Sequence, residues 1–201
     1  MADLNVQPKK KSSILPWLLL LAGVIALIYF LSKGCSPAAD KNVATTSTTA
    51  PAAGNWDNVD FNSPRASYNE ITDSSINVQG NDQYGIYGLG ENVLFETDNA
   101  TLKSDAEANL KQIAASIKQR YDGGEVRVFG YTDAKGSADY NMQLAEDRAR
   151  SVRDWLIKNA GISEDHITMH PVGEARPVAS NATEPGRQQN RRVEIVARKG
   201  S

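Results

Sequence analysis

The C-terminal half of the sequence predicts an α/β fold, a βαβαββ two-layer sandwich with two helices on one face of a sheet. Two observations predict it. Short apolar runs alternate with two longer segments whose apolar residues recur every three to four positions, which is typical of amphipathic helices. Gly123-Gly124 and Gly161 then stop these two segments. Because each segment connects two strands, the first three strands are expected to be parallel neighbours.

The predicted elements begin near residue 86. The first strand ends in the apolar run Val93-Leu94-Phe95, and the last strand alternates apolar and polar residues. The elements are a strand at 86–95, a helix at 104–121, a strand at 125–129, a helix at 139–160, and strands at 167–172 and 191–198. About a hundred residues of this kind suffice for one modest core.

A membrane anchor is predicted before this domain. Ile14 to Leu31 is an uncharged run of eighteen residues, which spans about 27 Å as a helix, close to the thickness of the hydrocarbon layer. Three lysines precede the run, so the positive-inside rule places the N-terminus in the cytoplasm. The predicted organisation is a cytoplasmic tail (1–13), a transmembrane signal-anchor helix (14–32), a disordered Ala/Thr/Ser/Pro linker (33–55), an N-terminal extension (56–83) with VDFNS and SSINVQG as candidate strands, and the domain (84–201).

Two alternatives to an uncleaved anchor stay open. Cys35, the only cysteine, is a candidate for lipidation, although L-S-K-G-C departs from the usual lipoprotein signal at Ser32 and Lys33. A cleaved signal without lipid is less favoured, because the apolar run exceeds the ~7–15 residues of a signal core. A single cysteine excludes an intramolecular disulfide, and a formal net charge of −2 gives no electrostatic basis for nucleic-acid binding.

The second predicted helix carries a basic residue on its apolar face. Arg148 shares that face with Asn141 and with Leu144, Ala145, Val152, Trp155 and Leu156. A buried guanidinium needs an anionic partner, and Asp133 lies just upstream, near the helix N-terminus. Either Asp133 and Arg148 form an internal ion pair, which the spacing alone favours, or they bind the ammonium and the carboxylate of a zwitterionic ligand.

Four motifs occur in order: GYTD, YN-x-x-LAEDRA, VGEARPVASN and GRQQNRRVEI. With them, the chain resembles the OmpA-like peptidoglycan-binding family from about Val93 to Val196. The resemblance implies the family's fold and its ligand, the diaminopimelate side chain of the cell-wall peptide, which is held non-covalently. It also implies that Asp133 takes the ammonium and Arg148 takes the carboxylate. Ala145 departs from the family's usual serine.

Further site residues follow from position and from the resemblance. Asn141 is a candidate for ligand contact or for capping the loop, and Thr132 for a hydroxyl in the loop. Thr97 and Asp98 follow the first strand, where the resemblance implies one wall of the pocket. Arg192 is a candidate contact for the peptide's carboxylates, whereas Arg187 and Arg191 are interpreted as salt bridges to acidic helix faces.

The expected function is non-catalytic binding of peptidoglycan, which tethers a membrane to the wall. No catalytic, metal or cofactor site is expected. His166 and His170 lie near the strand predicted at 167–172, and in an extended chain they would be about 13 Å apart, too far apart to share a metal. No nucleophile motif accompanies them. The expected location is a Gram-negative-type envelope with the domain in the periplasm, anchored in the inner membrane or, alternatively, held as an outer-membrane lipoprotein. A protein-interaction module of an envelope or secretion complex is the alternative function, and the sequence does not indicate an oligomeric state.

Overall fold

One mixed sheet and its helices make up the part of the chain that this computed structural model describes, namely residue 56 and residues 58–96 and 99–200. The strands are β1 (Asn77–Gly80), β2 (Tyr84–Gly90), β3 (Glu125–Tyr131), β4 (Ile167–Gly173) and β5 (Arg192–Arg198). The helices are α1 (Glu91–Leu94), α2 (Ala106–Arg120), α3 (Ala138–Ala160) and α4 (Glu184–Asn190), with a 3-10 turn at Glu164–His166.

The strands are ordered β1-β2-β5-β3-β4. β3 and β4 are parallel neighbours, as predicted. The predicted adjacency of β2 and β3 is wrong, because β5 lies between them and runs antiparallel to both. Val193, Ile195 and Val196 of β5 are buried on opposite faces of the sheet, and such two-sided burial is typical of an interior strand. β2 and β3 therefore still point in the same direction, and their C-terminal ends lie at the same edge.

Helices α2 and α3 cover one face of the sheet. Their predicted apolar positions are buried there, including Leu110, Ile113 and Ile117 of α2 and Val152 and Leu156 of α3. Each such side chain contributes about 1.5–3 kcal/mol when fully buried. Gly161 ends α3 in the left-handed conformation with φ of 64°, which a residue without Cβ adopts at little cost.

The predicted first strand ends earlier than expected. Val93 and Leu94 belong to helix α1, not to a strand, and the Phe95 amide closes the turn on the Glu91 carbonyl at 2.8 Å. The apolar run alone does not distinguish a strand from a buried helical turn. Gly90 is the last residue of β2 paired with β5, so the backbone leaves the sheet there and brings Glu91 to the edge.

The segment before β2 packs on both sides of the sheet. Of the two candidate strands, SSINVQG provides edge strand β1, whereas VDFNS forms turns. Tyr68 joins the main core beneath the helices. Trp56 and Phe61 pack on the opposite face, where the Phe61 ring meets Phe129 edge to face at 5.1 Å.

The predicted membrane anchor (14–32), the linker and Cys35 lie outside the described residues. Within residues 56, 58–96 and 99–200, no helix combines the length and the apolar character needed to cross a membrane.

Candidate functional site

The strand register brings the ends of four strands to one edge of the sheet. Gly90 at the end of β2 and Tyr131 at the end of β3 both pair with Arg192 at the start of β5. Tyr131 also pairs with Gly173 at the end of β4. The residues just beyond these strand ends therefore lie close together, as is typical of ligand sites in open α/β sheets.

A cavity of about 610 Å³ opens at this edge. Four of the residues predicted from the sequence line it: Thr132, Asp133, Asn141 and Arg148. Four basic and three acidic side chains line the cavity, which gives it a formal net charge of +1. The lining residues are Glu91, Asn92, Phe95, Lys103, Thr132, Asp133, Lys135, Gly136, Tyr140, Asn141, Leu144, Arg148, Glu184, Gln188 and Arg191.

Strand β3 and helix α3 approach closely enough to place Asp133 and Arg148 on the same cavity. A Cβ atom at Gly130 would lie 2.1 Å from the carbonyl oxygen of Ala145, so only glycine fits there. Ser137 caps α3 by accepting a hydrogen bond from the Tyr140 amide at 3.2 Å. Ala145 is fully buried and is not among the cavity residues, so the departure from the family's serine does not alter the lining.

Arg148 is 2% exposed, and two of its three side-chain nitrogens are bonded to described residues. Its Nη2 donates to the Glu91 carboxylate, and its Nε donates to the Asn99 carbonyl at 3.2 Å. Its Nη1 is buried and has no hydrogen-bond partner among the described residues. Because an unsatisfied buried donor costs about 1–3 kcal/mol, Nη1 is a position where an acceptor on a ligand would be stabilised.

Asp133, 6% exposed, is held by its own loop and by Arg191. Its Oδ1 accepts from the Lys135 amide at 2.8 Å, and its Oδ2 accepts from Arg191 Nη1 at 2.5 Å. Within the described part of the chain, no hydrogen bond or ion pair joins Asp133 to Arg148. The internal pair that the spacing favoured is therefore not formed.

Arg191 connects the carboxylates at the edge of the cavity. Besides Asp133, it contacts Glu91 Oε2 through Nε at 2.9 Å and donates to Glu184 Oε1 at 2.8 Å. The Glu91 contact is electrostatic, since Oε2 accepts no hydrogen bond from a described residue. Burial lowers the pKa of Arg191, but its bonds to Glu184 and Asp133 outweigh this, so the pKa lies above its ordinary value. Hydrogen bonds from Arg191 first and from Arg187 second lower the pKa of Glu184 to about 2.

The sequence-based interpretation of Arg191 is thus only half right, and it missed Glu91 altogether. Arg191 does form salt bridges, but with the start of α1, the loop after β3 and α4, and it lines the cavity. Glu91 directly follows the glycine-rich end of β2. Glu91 could have been identified as a candidate because it is a polar residue at the end of a strand that runs parallel to β3.

The region that contains this cavity is similar in sequence to known proteins. Residues 94–191 match the sequence model of the OmpA family. The chain contains an OmpA-like domain. It is 41% identical over 111 residues to the probable lipoprotein YiaD of Escherichia coli, which covers 55% of this chain and 50% of that protein. It is 40% identical over 107 residues to the peptidoglycan-binding protein ArfA of Mycobacterium tuberculosis, which covers 53% of this chain and 32% of that protein.

A solved structure shows the same fold. The cell wall anchor of the type VI secretion system (T6SS) from Pseudomonas aeruginosa superposes with a TM-score of 0.56 at 27% identity, covering 62% of this chain and 88% of that one. The mixed sheet with its helices is therefore that of an OmpA-like domain, as predicted. The chain spans half or less of the length of the two curated relatives.

The other predicted site residues of the OmpA-like domain differ in where the structure places them. Asn141 lines the cavity and donates to Glu174 at 2.5 Å, which ties α3 to the loop after β4. Thr132 also lines it, and its hydroxyl oxygen is buried without a partner among the described residues. Thr97 and Asp98 lie outside the described residues.

The structure does not place Arg192 at the cavity of the OmpA-like domain. Its guanidinium lies over the Tyr131 ring at 3.7 Å and pairs with Glu194 at 2.7 Å. Successive side chains of an extended chain point to opposite sides. Arg191 faces the cavity, so its neighbour Arg192 faces away.

The two histidines lie in different elements, with His166 just before the strand that contains His170. His166 ends the 3-10 turn before β4, and its Nδ1 lies 3.0 Å from the Gly124 carbonyl oxygen. His170 lies in β4 against the Phe129 ring. Neither lines the cavity, and the described residues contain no group of three or more His, Cys, Asp or Glu side chains arranged to hold a metal ion.

Proposed function

We propose that this OmpA-like domain binds peptidoglycan without catalysis, through the diaminopimelate of the stem peptide. The observation that carries the proposal is the pairing pattern of Asp133 and Arg148. Both side chains line one cavity, neither is bonded to the other, and Arg148 Nη1 is a buried donor without a partner among the residues that the structure describes. The end of the diaminopimelate side chain carries an ammonium and a carboxylate on one carbon, which match Asp133 and Arg148 respectively.

The relatives support this ligand class. ArfA is named as a peptidoglycan-binding protein, and the similar structure from P. aeruginosa is titled a cell wall anchor. The cavity's mixed charge also fits a zwitterion, because the lining provides a carboxylate for an ammonium and a guanidinium for a carboxylate.

The cavity chemistry supports binding rather than turnover. No histidine, cysteine or serine is among the described residues that line it. The carboxylates of Glu91 and Asp133 are held in ion pairs with arginines. The lining therefore provides charge recognition without a nucleophile activated by a base.

The predicted anchor and linker extend this proposal to a tether. An anchor at 14–32 would hold the chain in a membrane, and about twenty linker residues span roughly 25 Å as a flexible coil. The domain would then reach the wall from the membrane on the periplasmic side. An inner-membrane anchor is favoured, and an outer-membrane lipoprotein modified at Cys35 is the alternative.

Co-sedimentation of the full chain with purified sacculi in mild detergent tests the binding. Asp133→Asn keeps the size of the side chain and an acceptor for the Lys135 amide but removes the charge that would hold the ammonium. We expect this variant to stay in the supernatant while the wild-type chain pellets. Asp139→Asn is the matched control, because Asp139 is exposed in the first turn of α3 and does not line the cavity. Undiminished pelleting of the Asp133 variant would refute the assigned pocket.

The similarity to a secretion-system anchor favours one alternative, a protein-interaction module of an envelope or secretion complex. This alternative predicts that the full chain captures envelope proteins from a detergent extract and fails to pellet with sacculi. A wall hydrolase, by contrast, would release soluble muropeptides from the sacculi during the same incubation.

A further inference from the structure

Glu91 is a buried carboxylate that has no role in a site made of Asp133 and Arg148 alone. It is 8% exposed, and each of its oxygens faces an arginine that lines the cavity. Oε1 accepts from Arg148, and Oε2 lies 2.9 Å from Arg191 Nε. Glu91 therefore occupies, inside the protein, a position on Arg148 that a ligand carboxylate would otherwise take.

This contact limits what Arg148 offers to a ligand. A guanidinium without other partners binds a carboxylate through two parallel hydrogen bonds. In this structure, however, Nη2 of Arg148 donates to Glu91 and Nε donates to the Asn99 carbonyl. Only Nη1 remains. A ligand carboxylate on Nη1 would therefore share the guanidinium of Arg148 with Glu91, which is already bonded to Nη2.

The same contact sets the electrostatic conditions for the ligand. A carboxylate on Nη1 would sit beside the Glu91 carboxylate, which is bonded to the neighbouring nitrogen of the same guanidinium. Like charges a few ångströms apart in a partly buried site repel strongly. The repulsion is offset when the ligand also brings a positive charge to Asp133.

We propose that Glu91 is a specificity-determining residue, which makes the cavity accept a carboxylate only when an ammonium accompanies it. This inference rests on the proposed function, since it assumes that the diaminopimelate end of the stem peptide is the ligand. Glu91 acts by occupying Nη2 of Arg148 and by repelling a second negative charge beside it. The chemical class selected is an α-amino acid end group.

Calorimetric titration of the full chain in detergent with two synthetic stem peptides tests this assignment. One peptide contains diaminopimelate, and the other contains 2-aminopimelate, which keeps the terminal carboxylate but lacks the side-chain ammonium. We expect the wild-type chain to prefer the first by more than about tenfold. In Glu91→Gln, the peptide without the ammonium should bind more tightly, and the preference should fall by roughly tenfold.

Glu184→Gln tests whether the selectivity depends on the position of Glu91 beside Arg148 or only on the net charge of the cavity. This substitution removes a carboxylate from the same cavity and from Arg191, but it leaves Arg148 paired with Glu91. We expect its preference to fall by less than about twofold, because Glu184 is 57% exposed and well screened. An equal fall in both variants would overturn the inference, because net charge alone would then explain the selectivity.

If Glu91→Gln binds both peptides with the wild-type preference, Glu91 does not set specificity, although the proposed function stands. If the wild-type chain binds neither peptide, the proposed function fails and the inference fails with it. Should Glu91→Gln not fold, Glu91→Asp withdraws the carboxylate by one methylene at constant charge. Its preference should fall in the same direction, and an unchanged preference would refute the inference.

Discussion

Removing Arg148 should destabilise the domain and abolish binding, and the two effects can be separated. Arg148→Met keeps most of the side-chain volume but leaves Glu91 buried without its main partner. Losing one partner of a buried ion pair costs about 3–5 kcal/mol. Arg191 still contacts Glu91 at 2.9 Å, which reduces the expected cost to about 2–4 kcal/mol. The Asn99 carbonyl adds little, because Asn99 is exposed and water replaces the lost donor.

Thermal melting followed by tryptophan fluorescence, with Trp155 as an internal reporter, measures the effect. A cost of about 2–4 kcal/mol corresponds to a melting temperature lowered by about 6–12 °C for a domain of this size. Changing Glu91 to Met as well removes both charges, and a buried pair replaced by apolar residues is often neutral or stabilising. The double variant should therefore recover most of the melting temperature while still failing to pellet with sacculi. An Arg148→Met variant that melts at the wild-type temperature, or a double variant whose melting temperature is no higher than that of Arg148→Met, would refute this expectation.

Three further predictions concern the scaffold and the anchor. Gly130→Ala places a Cβ 2.1 Å from the Ala145 carbonyl oxygen, so we expect a melting temperature lowered by about 3 °C or more, and an unchanged melt would contradict the close approach. Glu70 has its pKa lowered to about 2, chiefly by its hydrogen bond from Arg120; its stabilisation is therefore present above about pH 4.5 and lost as pH falls toward 2, and acid titration of the circular dichroism should show a flatter acid limb for Glu70→Gln. Mass spectrometry of the chain isolated from membranes should find residues upstream of Cys35 still attached. A chain that begins at a diacylglyceryl-modified Cys35 would contradict the inner-membrane anchor and identify a lipoprotein.

The elements that the sequence predicted well are those encoded by local periodicity. The face of α3 that carries Val152 and Leu156 is buried as expected, and Arg148 lies among these apolar residues because the helical period puts it there. Arg148 could be singled out from the sequence for a simple physical reason, since a charge on an apolar face requires a partner.

The elements that the sequence did not reveal depend on contacts between distant residues. Nothing local indicates that β5 inserts between β2 and β3, and this insertion decides which residues meet at the edge. Glu91 and Arg148 are 57 positions apart, and Asp133 and Arg191 are 58 apart. The alternation along β5 could have separated Arg191 from Arg192, but only once the edge of the sheet was known.

The most direct measurement is a crystal structure of the chain with a stem tripeptide that contains diaminopimelate. The account predicts the ligand's side-chain ammonium within hydrogen-bonding distance of Asp133 and its terminal carboxylate on Arg148 Nη1, with Glu91 still bonded to Nη2. A peptide bound elsewhere on the domain, or one that enters the cavity without contacting both charges, would contradict it.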